Sequence, residues 1–120
     1  MTRIAISSVV AAVIAAAAFL VPAQGSTGRL TGEVGPGFSI EVSKSGKDVK
    51  TLKAGTYTIA VHDLSPEHNF HLRGPGVNKK TSVSFSGETT WTVKLKPGRY
   101  TYQCDPHAAA GMKDSFKVKR

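Results

Sequence analysis

Tyr100-Thr101-Tyr102-Gln103-Cys104-Asp105-Pro106-His107-Ala108-Ala109-Ala110-Gly111-Met112 gathers the lone cysteine, one of four histidines and one of two methionines at the spacing Cys-x2-His-x4-Met. A thiolate, an imidazole and a thioether form a soft donor set, which favours copper over the hard, oxygen-seeking ions. One loop can place three ligands on one side of a metal, and a fourth must arrive from elsewhere. The candidate is His68, in Ser65-Pro66-Glu67-His68-Asn69-Phe70-His71. The same stretch carries a fold signal. Tyr100, Tyr102 and Cys104 alternate with polar neighbours and share one strand face. Two aromatics mark that face as the core side, so the thiol points inward at the strand's end.

The pattern recurs outward from this strand. Phe38, Ile40 and Val42 alternate, as do Tyr57, Ile59 and Val61, then Trp91, Val93 and Leu95, and finally Phe116 and Val118. Period two with β-branched and aromatic residues is the half-buried strand pattern. Turn formers punctuate it at Gly35-Pro36-Gly37, Ser45-Gly46, Ala54-Gly55, Gly74-Pro75-Gly76, Ser86-Gly87 and Lys96-Pro97-Gly98. Lys96-Pro97-Gly98 reads as a tight turn closing a hairpin between the Trp91 and Tyr100 strands. His68 reads as opening a strand after the Ser65-Pro66-Glu67 loop. Seven to eight short strands predict an all-β Greek-key sandwich.

The chain's start reads differently. Arg3 precedes an almost wholly apolar run from Ile4 to Val21, and Val21-Pro22-Ala23 offers the small residues a signal peptidase requires. Residues 1–23 are therefore expected to be a signal peptide cleaved after Ala23, with Gly25 as a second cleavage point and a retained anchor as the rival reading. Residues 24–120 are the single folded domain, and the protein is exported: periplasmic, cell-surface or secreted. A lone thiol in an oxidising compartment has no internal disulfide partner, and metal ligation accounts for it better than inert burial. The formal charge of +8 falls to +7 without Arg3. The cations are scattered, without the aromatic interleaving of a nucleic-acid platform, so nucleic acid is excluded as a partner. The charge instead suits association with an acidic protein or an anionic envelope surface.

Gly98-x-Tyr100-x-Tyr102-x-Cys104-x-Pro106-His107-x3-Gly111-Met112, with His68-Asn69 upstream, resembles the cupredoxins. The loop spacing is similar to that of the plastocyanin group, and the likeness spans roughly residues 56–119. The resemblance implies an eight-stranded Greek-key sandwich with one type 1 (blue) copper ion, shuttling single electrons between redox partner proteins as a monomer. It implies His68, Cys104 and His107 as equatorial ligands and Met112 as a weak axial one. Zinc is the rival metal for the first three, but a thioether is a poor zinc ligand. Pro106 has no N–H to offer the cysteine sulfur, so the sulfur is expected to depend on the backbone amide of Asn69.

Some residues depart from that pattern. Gln103 stands where many plastocyanins carry a tyrosine, Asp114 stands where a glycine is frequent, and the net charge is basic where plant plastocyanins present an acidic patch. His71, three residues from His68, projects to the opposite strand face and is the rival ligand; otherwise it is a surface or packing residue. His62 is out of phase with Tyr57, Ile59 and Val61 and faces outward. Ala108-Ala109-Ala110 offers a small apolar collar around His107, which Gly74-Pro75-Gly76 would extend. Three function classes compete: an electron carrier, a copper-buffering or copper-delivery protein, and an adhesive sandwich in which the donors coincide by chance. No Ser–His–acid set, paired catalytic carboxylates or phosphate-cradling loop is present, so no enzyme and no small-molecule substrate are expected.

Overall fold

The computed structural model describes residues 28–120. The expected signal peptide, residues 1–23, lies outside the described residues. The described residues form ten strands: β1 (Gly28–Val34), β2 (Ile40–Lys44), β3 (Lys47–Asp48), β4 (Thr51–Lys53), β5 (Gly55–Asp63), β6 (His71–Gly74), β7 (Val77–Lys80), β8 (Gly87–Leu95), β9 (Gly98–Gln103) and β10 (Lys113–Lys119). They form two sheets, ordered β3-β2-β1-β5-β8 and β4-β10-β9-β6-β7. The expected all-β sandwich is the observed fold. The strands beyond the expected seven to eight are short edge pieces such as β3, which are too brief to show an alternation.

The period-two residues meet between the sheets. Leu30, Tyr57, Ile59, Val61, Val93 and Leu95 from the first sheet are buried against Leu72, Tyr100, Tyr102, Phe116 and Val118 from the second. Phe70 and Tyr102 stack with ring centroids 5.9 Å apart, and Tyr100 and Phe116 at 5.5 Å. Such offset stacks add about 0.5–1.5 kcal/mol beyond the area they bury.

Lys96-Pro97-Gly98 does not close a hairpin. β8 belongs to the first sheet and β9 to the second, so the turn carries the chain across the sandwich. Tyr100 fixes the corner: its hydroxyl accepts the Lys96 N–H at 2.9 Å and donates to the Pro75 carbonyl at 2.9 Å. Proline and glycine announce a reversal but not which sheet the chain enters next, and the buried phenol settles that here.

In the second sheet, β9 lies between β10 and β6, pairing antiparallel with each. Gln103 is opposite Lys113 on one side and His71 on the other. The adjacency needed to bring His68 to Cys104 is therefore present, although His68 itself precedes β6 and sits in the loop.

Candidate metal centre

Cys104 follows β9 and is wholly buried. A 3₁₀ turn over Asp105–Ala110 comes next, with Pro106 in its first turn and Gly111 ending it in the left-handed region at φ 100°. A residue with a Cβ is strained there, and glycine is not. Two backbone bonds close the loop on itself: Cys104 N–H to Met112 O at 3.0 Å and Met112 N–H to His107 O at 3.2 Å. Cys104, His107 and Met112 are thereby held close although the turn separates them.

His68 arrives from a loop built of small turns. Ser65 N–H donates to the Asp63 carboxylate at 3.1 Å, Glu67 N–H to Ser65 Oγ at 3.1 Å, and His68 N–H to Ser65 O at 3.3 Å. Burial pushes the Asp63 carboxyl above its ordinary value, against the Ser65 N–H and the nearby His68 that favour its ionised form. The imidazole of His68 is 1% exposed, and its Nε2 lies 3.2 Å from the Pro36 carbonyl. A carbonyl only accepts, so Nε2 carries the proton and the Nδ1 lone pair faces inward.

There it meets the other donors. His68 Nδ1 and His107 Nδ1 are 3.1 Å apart, and Cys104 Sγ lies 3.6 Å from the first and 3.4 Å from the second. A triangle with these edges has a centre about 2 Å from every corner, close to the metal–imidazole bond of about 2.0–2.1 Å known for zinc. Two imidazoles and a thiolate around one point are a copper donor set. His68, Cys104 and His107 form the metal-ligating group among the described residues, all donor atoms lying within 4.8 Å of one another. Met112, whose N–H donates to His107 O, is buried at 3% exposure.

His71 is not in that group. Its Nδ1 contacts the Asp105 carboxylate at 2.9 Å and its Nε2 the Asn78 Oδ1 at 2.7 Å. Burial alone would raise the Asp105 carboxyl, but hydrogen bonds from His71, Asn69 and Gln103 outweigh it and hold the group at about 2. The carboxylate beside the cysteine therefore stays ionised. Asn69 ties the two ligand loops: its Oδ1 accepts Asp105 N–H at 2.7 Å, and its Nδ2 donates to Asp105 Oδ2 at 3.0 Å and Thr81 O at 3.1 Å. Asn69→Ala removes all three bonds inside a buried corner and is expected to cost about 3 kcal/mol. Chemical denaturation monitored by tyrosine and tryptophan fluorescence measures it, and a loss below the ordinary surface-mutation range would show that the strap is idle.

Two other expectations change. Phe38, expected to alternate with Ile40 and Val42 in a half-buried strand, precedes β2 and is 66% exposed. Its ring lies 4.4 Å from that of His107 and 5.5 Å from that of His68, centroid to centroid. Gly74-Pro75-Gly76 does not extend the collar around His107. Gly74 lies against Tyr100 and Pro75 against Gly98, at the opposite end of β9 from Cys104. The Gly35-Pro36-Gly37-Phe38 loop occupies the place at the site instead. Its trace in the sequence was an aromatic directly after a Gly-Pro-Gly turn, a pairing that a turn alone does not need. His62 faces outward and lies 3.7 Å from Glu88, apart from the site.

Comparison with known proteins agrees with this geometry. A model of the copper-binding proteins of the plastocyanin/azurin family matches residues 38–119. Reduced rusticyanin superposes with a TM-score of 0.56 at 26% identity, covering 76% of this chain and 78% of that one. Rusticyanin from Thiobacillus ferrooxidans gives 0.54 at 25% identity, with 76% of each chain covered. Auracyanin B, at 16% identity and a TM-score of 0.53, covers 83% of this chain and 94% of that one and shares the fold. The cofactor is one copper ion, and His68, Cys104 and His107 are the donors arranged for it. Sandwich, donor triangle and family match converge, and the chain belongs to the plastocyanin/azurin family of copper-binding proteins, the cupredoxins.

Proposed function

We propose that this protein is a type 1 blue copper protein that carries single electrons between extracytoplasmic redox partners, with His68, Cys104 and His107 as equatorial ligands and Met112 as the weak axial one. The observation that carries the reading is the donor triangle, whose edges of 3.1, 3.4 and 3.6 Å stand ready around one point. Bound copper supplies one-electron chemistry, its cuprous form preferring sulfur and its cupric form imidazole.

The protein's contribution is rigidity and dryness. The Cys104–Met112 and Met112–His107 backbone bonds, the Pro36 carbonyl on His68 and the Asn69 strap each limit how far a donor can move. Little reorganisation then accompanies the electron. Cys104 and His68 are shut off from water, whereas the half-buried His107 reaches the surface beside the exposed Phe38 ring. That edge is where the electron enters and leaves. In this reading residues 1–23 are the export signal, residues 24–120 act as a monomer, the redox partner presents an acidic surface to the basic domain, and no substrate is turned over.

Adding Cu(II) to the purified protein should give one equivalent of bound copper, an intense visible band and a reversible voltammetric wave with fast self-exchange. Irreversible redox behaviour together with copper transfer to an acceptor protein would make it a delivery protein instead. Pro106 refines the expectation. With no N–H, residue 106 gives the sulfur no hydrogen bond, and hydrogen bonds to a thiolate favour the reduced state. Pro106→Ala should therefore raise the potential in voltammetry, and an unchanged or lower potential would refute this account of the sulfur.

A further inference from the structure

The second sheet carries an unusual charge distribution on its outer face. Tyr100 and Tyr102 of β9 point into the core, so Arg99, Thr101 and Gln103 point out. Register then places Lys117, Ser115 and Lys113 of β10 on the same outer side. Across β10, Lys119 and Lys53 are paired there too, and across β6, Arg73 and Lys80. No carboxylate occupies an outward position on these five strands. Asp114 lies opposite Tyr102 and so has the other parity. Asp105, at the upper margin, is already engaged by His71, Asn69 and Gln103. Among the described residues no ion pair joins any of these cations to an acid. The first sheet's outer face differs, because Glu33, Glu41 and Glu88 interrupt its cations.

The occupant follows from what this face lacks. Protein interfaces are anchored by buried aromatic and aliphatic side chains. Among the described residues the exposed large hydrophobics, Phe38, Leu64 and Val83, all lie in loops and none on this sheet's strands. A surface of Lys, Arg, Ser and Thr gives charge without insertion, which suits a layer of anionic headgroups, to which each basic side chain adds attraction. We propose that the outer face of the second sheet docks the protein onto an anionic phospholipid surface. The His107 loop leaves the end of β9, at the margin of this face, so a membrane against the sheet leaves the Phe38–His107 edge clear. The inference does not depend on the copper reading, since it rests on the outer side of the sheet alone.

Vesicle co-sedimentation of the full chain tests it, with neutral phosphatidylcholine vesicles beside vesicles containing phosphatidylglycerol. The readout is the excess binding to the anionic vesicles, which leaves out any contribution from the apolar segment at residues 4–21. That excess should collapse at high salt. Neutralising Lys53, Arg73, Arg99 and Lys117 to glutamine should weaken it by roughly a hundredfold or more. Neutralising Arg29, Lys44, Lys47 and Lys94 removes the same charge elsewhere and should leave most of it. Circular dichroism and thermal melts of both variants check that they fold. Equal weakening in the two variants would overturn the proposal in favour of net charge alone. Absence of any anionic preference would also overturn it, and would point the face toward an acidic protein.

Discussion

Cys104→Ser yields a folded protein that takes up Cu(II) without an intense visible band. The band requires charge transfer from a thiolate sulfur, and a serine hydroxyl is a harder donor that stays protonated near neutral pH. The hydroxyl also sits where Cys104 is wholly buried, so a cost of about 1–3 kcal/mol is expected from a poorly satisfied polar group. Both loop bonds to residue 104 are made by its backbone, Cys104 N–H to Met112 O and His107 N–H to Cys104 O. They survive the substitution, so the fold survives with them. Visible absorption, paramagnetic resonance and thermal denaturation of the copper-loaded variant measure the three consequences. Met112→Leu is the companion: on the axial role proposed for Met112, it should keep the colour while shifting the potential. A Cys104→Ser protein that keeps its colour would show that the sulfur is not a ligand.

The second large effect lies far from the metal. Gly74→Ala should destabilise the protein by about 3 kcal/mol or more, as overpacking a fixed core position does. A Cβ on residue 74 would run into the Tyr100 ring, at Cδ2, Cε2 and Cγ. The ring cannot withdraw, because Tyr100 is wholly buried and its hydroxyl is held between Lys96 and Pro75 at the sheet-crossing corner. For a domain of this size the loss is a fall in Tm on the order of 10 °C or more. Gly37→Ala is the control. Nothing lies within 4 Å of the added carbon there, and the change should stay within about 0.5 kcal/mol. Thermal melts of both variants decide the matter, and a Gly74→Ala protein as stable as the control would mean that the corner yields easily.

Each of these predictions uses information of a different range. The donor types, the inward thiol at the end of β9 and the turn after it were legible in residues 100–112, because alternation and loop spacing act over a few covalent neighbours. The all-β class followed from the same alternation elsewhere. His68 and His71 both stood in reach along the chain; strand parity set them on opposite faces and the reading favoured His68, but nothing local showed which face meets the sulfur. They are distinguished by what surrounds them in space: His68 Nε2 meets the Pro36 carbonyl and its Nδ1 faces the sulfur, while His71 on β6 is taken by Asp105 and Asn78.

Phe38, the Pro36 carbonyl and the Asp105 network were missed for the same reason. Pro36 is 32 positions from His68, and Asp105 is 34 from His71. Such neighbours depend on how two sheets bury their apolar faces together and not on any short pattern. Lys96-Pro97-Gly98 makes the point most simply: the sequence by itself determined that the chain turns there, and the burial of Tyr100 against the opposite sheet decided where it went.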